Sequence, residues 1–414
     1  MKNYNKVKHI VTGIILLFTF NLKAQEESPT KDDNPNPEFE MGQGLNFNFN
    51  NGDYQFKIGG MIQPYVGYRK DSTNEPNYFL NSKRTFFNLS GKAVKEKISF
   101  LLQTDFSQAT PLLDAWVSYA PNSYFKITLG QQLTFSNNRE MTIMEPQLQF
   151  IDRSLISTQY SSTGREFGIF VVSNFNIGNI LLVPQAAITS GDGRNSFGAN
   201  SIDYDLGGLK YAGRLDLYPF GNFTEGNNNL IADIKKEDKP KIALGIAGSY
   251  NVGASNYRGE GHGDFLVYNS NGSNSLPDYR KLFYDVLVKY KGVSFLGEYA
   301  IATAKVKEGT FFDVTALDEL KPTEISQLLA LGNGINTQLG YVFNKKFGID
   351  FRYATVAPEF KSNNNSIVKD RNEITLGLTK YVNENNLKIN ASITQLNYES
   401  KSSLIGAFYV QMIF

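Results

Sequence analysis

The 414-residue chain has no cysteine, one tryptophan and two histidines. Without cysteine there is no disulfide framework, no thiolate metal site and no lipidated N-terminal Cys. General-base catalysis falls most often to His, and only His9 and His262 could supply it. His262 lies in Gly259-Glu260-Gly261-His262-Gly263-Asp264, whose two carboxylates also have the wrong spacing for a calcium loop. There is no Walker-type loop, no dinucleotide fingerprint after a strand and no basic patch suited to nucleic acid. These absences leave no expectation of an enzyme, a metal or a cofactor. Beyond the N-terminus no apolar run approaches the ~20 residues of a spanning helix, so any membrane crossing is by strands.

What the chain does have is 31 Phe and 23 Tyr at a mean hydropathy of only -0.31. A chain is aromatic without being greasy when it alternates, showing one face to lipid and the other to water. Residues 1–24 combine basic Lys2, Lys6 and Lys8, an apolar run from Ile10 to Phe20, and small residues before Gln25. They read as a cleaved secretory signal peptide. Its removal changes the formal balance from 41 bases against 40 acids to 37 against 40, or −3. Residues 25–50, acidic at first and rich in Pro and Asn, read as a disordered periplasmic lead-in.

Residues 51–414 repeat one theme: about ten residues with alternate positions apolar, then a turn-rich break. Tyr54, Phe56, Ile58, Ile62, Val66 and Tyr68 share one face of the first such segment, with Gln55, Lys57, Gly59 and Gln63 on the other. Only a strand separates them in that way. About sixteen segments follow this rule, which predicts an all-β transmembrane antiparallel barrel. The breaks sort by parity: long after most odd strands (70–80, 131–164, 191–206, 252–279, 305–333, 357–371) and tight after most even ones, such as Pro121-Asn122-Ser123 and Asn344-Lys345-Lys346. Barrels place long loops outward and short turns inward. Two connections break the rule, a short outward one near Gln108 and a long inward one from Gly221 to Pro240. The stretch 318–332 reads as a short helix ended by Gly332.

The last segment puts Leu404, Gly406, Phe408, Val410, Met412 and Phe414 on one face. A final strand ending in Phe is similar to the membrane-insertion signal of bacterial outer-membrane barrels, so Phe414 is expected to engage the barrel-insertion machinery.

The stretch from Arg84 to Phe170 resembles the phosphate-selective porin O/P family. The resemblance rests on Lys83-Arg84-Thr85-Phe86-Phe87-Asn88-Leu89-Ser90-Gly91, Leu112-Leu113-Asp114-Ala115-Trp116-Val117, Leu129-Gly130-Gln131, Met144-Glu145 and Gly164-Arg165-Glu166-Phe167-Gly168. It implies a sixteen-stranded porin, commonly a homotrimer, whose third outward loop folds into the lumen. The Asn-rich loops and the Ala-Gln junction resemble Bacteroidetes envelope proteins. Independently of the resemblance, the parity count makes 131–164 the third outward loop and the longest connection.

The predicted constriction cations are Arg84, Arg139, Arg153, Arg165 and Lys126, with Asp114, Glu145, Asp152 and Glu166 as acidic partners. Two roles are open to them: contacting a passing anion, or pairing across the lumen to brace the wall. Lumen-phase bases (Lys57, Arg84, Lys126, Lys210, Arg214, Lys241, Lys281, Lys289, Arg352, Lys388) only slightly outnumber lumen-phase acids (Asp114, Glu166, Asp216, Asp285, Glu298, Asp350, Glu373). That near-balance fits passive diffusion of small polar or anionic solutes across the outer membrane; phosphate as one of them is what the resemblance implies. The competing expectation is a binding or structural barrel whose Asn- and Gly-rich loops contact glycans or partner proteins.

Overall fold

The computed structural model describes residues 36–72, 74–196, 207–344, 346–399 and 401–414. The expected signal peptide lies outside them. Sixteen strands build the wall: β1 Tyr54–Asp71, β2 Asn77–Ala93, β3 Ile98–Asp105, β4 Leu112–Asn122, β5 Phe125–Leu133, β6 Arg165–Ser173, β7 Ile180–Thr189, β8 Lys210–Tyr218, β9 Lys241–Asn251, β10 Asp278–Tyr290, β11 Val293–Lys305, β12 Gly332–Val342, β13 Phe347–Pro358, β14 Arg371–Asn383, β15 Leu387–Tyr398 and β16 Lys401–Ile413. Each is antiparallel to the next, and β16 returns to β1 from Ser403↔Asp71 to Ile413↔Met61. Closure leaves no free seam in the ring, which a bilayer demands because unpaired backbone groups in hydrocarbon cost several kcal/mol each.

Alternation gives this wall an inverted distribution of polarity. On β10, Lys281, Asp285 and Lys289 are buried while Tyr284 and Tyr290 are exposed; on β13, Arg352 is 2% exposed between Phe351 at 40% and Tyr353 at 38%. Apolar side chains outside and charges within are the signature of a barrel whose outer solvent is lipid. At Gly130, with φ +130°, a Cβ would lie 2.2 Å from the Ala115 carbonyl, so the close approach of β5 to β4 there tolerates no side chain.

Three expectations change. The first outward loop, expected at 70–80, shrinks to 72–76, because β2 begins at Asn77 and pairs Tyr78 with Tyr68. Part of the lead-in is ordered: Asn36–Glu40 and Gly44–Phe49 form a hairpin that pairs with β1 over Tyr54–Ile58, beyond the end of β16. Leu45, Phe47 and Phe49 carry the same period of two. Finally, 318–332 forms no α-helix. Only a single turn, Glu324–Gln327, is helical, and Ile325, Leu329 and Leu331 pack into a core with Leu155, Ile156 and Tyr160.

Candidate functional site

The third outward connection, 134–164, holds two short helices, α1 Arg139–Thr142 and α2 Leu155–Tyr160. Inward-facing side chains from many strands bond to it. Arg84 of β2 donates to the Ile151 carbonyl at 3.0 Å, Arg352 of β13 to Asp152 O at 2.8 Å, and Gln411 of β16 to Pro146 O at 3.0 Å. Lys388 of β15 donates to Pro146 O and Leu148 O at 3.0 and 2.8 Å. Glu298 of β11 accepts the Glu140 amide at 2.8 Å and the Asn138 side chain at 3.0 Å, and Glu373 of β14 accepts the Leu155 amide. The wall thus satisfies backbone groups that a buried loop would otherwise leave bare.

Most of the lumen charges are grouped in four clusters. Arg139 meets Asp216 of β8 and Asp285 of β10, both of which also take Arg214. Arg165 pairs with Asp114 at 2.7 Å and with Glu145 at 3.1 Å, and Glu145 also takes Arg153 at 3.2 Å. Lys210 lies between Glu166 and Glu260, and Glu260 takes Lys281 as well. Arg352 reaches Glu140 and Glu373. Lys83 holds Asp152 at 2.6 Å. Burial opposes the charge of Glu145, yet Arg165 and Arg153 hold its pKa well below the usual carboxylate range. Glu260 is likewise buried, and Lys210 and Lys281 bring it down to about 2.

Of the predicted cations, Arg84, Arg139, Arg153 and Arg165 all meet this connection, each bonded to a carboxylate or a carbonyl. Lys126 does not. It is exposed near the start of β5, at the opposite end from Leu133, and makes no ion pair among the described residues. Its parity is inward, but its height on the strand is wrong. The predicted acids Asp114, Glu145, Asp152 and Glu166 are all paired.

Two cavities adjoin this side of the molecule. One of about 750 Å³ is lined by Glu145, Arg153, Arg165, Arg194 and Arg258; the other, about 520 Å³, by Tyr65, Lys83, Arg84 and Asp105; Gln108 lines both. Arg194 bonds to Gln108 at 3.1 Å and Thr110 at 3.2 Å, and Arg258 to the Tyr257 hydroxyl at 2.9 Å. Both have neutral partners. Burial, then the nearby Arg165 and Arg258, lower the pKa of Arg194, and Glu145 and Asp105 oppose the shift. Neither arginine lies on a strand, and the alternating pattern carried no signal for them. Glu260, weighed in the sequence as a calcium ligand, instead joins two wall lysines. His262 pairs with Asp192 at 2.5 Å.

No family model matches the chain, and no curated protein matches it. Solved structures do. The anion-selective porin from Comamonas acidovorans aligns at 11% identity over 87% of this chain and 100% of its own, with a TM-score of 0.55. The fold is the outer-membrane porin fold. The outer membrane channel DcaP of Acinetobacter baumannii aligns at 11% identity, 87% and 97% coverage, and a TM-score of 0.51. The in-vitro folded, trimer form of OmpT from Vibrio cholerae gives 9% identity, 87% and 99% coverage, and 0.50.

Proposed function

We propose that this porin-fold chain is an outer-membrane porin, exported with a cleaved signal peptide, through which small polar and anionic solutes diffuse past the third outward connection. The observation that carries the reading is the pair of polar cavities sharing Gln108, the larger against that connection and the smaller beside β1 and β2. Arginines with neutral partners stand in both, Arg194 and Arg258 in one and Arg84 in the other. A guanidinium without a carboxylate is free to exchange its neutral acceptors for an oxyanion. The likeness of Arg84–Phe170 to phosphate-selective porins supports phosphate as one such anion. The Vibrio cholerae trimer form supports a homotrimer.

Purified protein in planar bilayers should give discrete conductance steps, and a salt gradient a reversal potential of anion-preferring sign. Electrical silence from folded, repeated preparations would sink the reading. The binding-barrel alternative has less support, because loops 252–277, 306–331 and 359–370 turn Val267, Leu320, Leu329 and Val368 inward into a shared core.

A further inference from the structure

The long inward connection, 219–240, follows β8, where a barrel ordinarily has a tight periplasmic turn. It folds against the inner wall instead. Phe223, Leu230, Ile231 and Ala232 are between 1% and 7% exposed. Ile231 packs with Leu287 of β10, Leu296 of β11 and, from the opposite side of the membrane, Ile143 and Leu148 of the third outward connection. Ala232 joins Val342 of β12 and Tyr381 of β14.

Polar contacts hold it there. Lys289 of β10 faces inward, where a pore cation would meet solute, yet its ammonium donates to the carbonyls of Asn227 and Leu230 at 2.5 and 2.6 Å. The same ammonium lies 4.5 Å from the Phe223 ring centre. Asp233 accepts the Gly292 amide at 2.7 Å, in the turn between β10 and β11. Glu237 ties the segment to itself through Thr224 and Asn227, each at 2.8 Å. Lys235 reaches Glu384 beyond β14. Every one of these polar anchors lies between β8 and β15, whereas the smaller cavity is lined by β1, β2 and the turn after β3, and the larger by the third outward connection, residues 192–196 and the outer loop 256–264.

We infer that 219–240 is a periplasmic plug that shuts the lumen along β8–β14 and thereby sets the size limit of the pore, confining solute to the channel beside the early strands. This rests on the porin reading. It makes Lys289, Ile231 and Asp233 determinants of specificity although none touches the solute.

The test uses the full-length protein, a variant with 222–238 replaced by two glycines, and the point variant Lys289→Met with Asp233→Ala. Single-channel conductance in planar bilayers and liposome swelling with sucrose, raffinose and stachyose are compared. The excised pore should conduct about twofold more and admit the larger sugars, since conductance follows open cross-section. Wild-type protein that conducts beside a folded, heat-modifiable excised variant of equal conductance and equal sugar cut-off overturns the plug and leaves the porin reading intact. Wild-type protein that never conducts overturns the porin reading itself. Should the excised chain not fold, the point variant decides: flicker to a raised conductance supports the plug, and a steady wild-type level removes it.

Discussion

Arg139 and Asp285 meet across 146 residues of sequence, one at the start of α1 and the other on the inner face of β10. With Asp216 and Arg214 they make a buried four-charge knot of zero net charge, and α1 is fastened to the wall by it. Arg139→Gln leaves Asp216 and Asp285 with Arg214 alone. Breaking one member of such a buried group costs about 3 kcal/mol, and here that cost falls on the placement of the loop. Single-channel recordings should show frequent large fluctuations and a shift toward cations, as two carboxylates lose a partner. A quiet trace with the wild-type reversal potential would show that Arg139 does not hold the throat.

Selectivity should follow Arg194 and Arg258 more than the paired arginines. Replacing both with Gln removes the two vestibule cations whose partners are neutral. The anion/cation permeability ratio should fall severalfold, and less at high salt, where screening shortens their reach. Lys126→Gln, far from this group on β5, should change it little. Equal effects from all three changes would put the filter elsewhere.

Glu260 links the fifth outward connection, 252–277, to Lys210 and Lys281. Folding lowers its pKa from 4.5 to about 2. A depressed acid stabilises while ionised, so its contribution is complete above its ordinary pKa and disappears as pH falls from about 5 toward about 2. Relative to the intrinsic rate at each pH, protection of the 252–277 amides from hydrogen exchange should fall over that window, and in Glu260→Gln it should be low already at pH near 7. Protection in the wild type that is flat across the window would remove Glu260 as the anchor.

Phe414 exchanges two backbone hydrogen bonds with Gly60, at 2.9 and 2.6 Å, at the point where the ring shuts. Deleting it removes both, at about 1 kcal/mol each, along with an outward aromatic. The heat-modifiable, folded fraction in the outer membrane should drop, and Phe414→Tyr should restore it. Full assembly of the deletion variant would deny the terminal residue any part in closure.

The wall was legible in the sequence because it is periodic: lipid outside and water inside oblige residues such as Arg352, between Phe351 and Tyr353, to alternate whatever their neighbours in space. Loop parity was legible for the same reason. The partners of those charges were not. Glu298 and Asp285 could be assigned to the lumen by counting, but nothing local says that one caps the Asn138–Glu140 turn and the other takes Arg139. Misreadings came where two local signals compete. Ile325, Leu328 and Leu329 have helix-like spacing, and they meet it by joining the core around Leu155 and Ile156. Asn77 to Leu80 fell in the expected break 70–80, yet pair within β2. Lys126 shows the limit of parity, which gives the side of the wall but not the depth.

Lys388 and Gln411 both grip the loop at Pro146, and they belong to the last two strands of the ring. The loop therefore lacks both of these holds until the final segments of polypeptide have arrived. An incomplete ring leaves the carbonyls of Pro146 and Leu148 without the donors that seat them, so the loop is the last part of the barrel to be fastened.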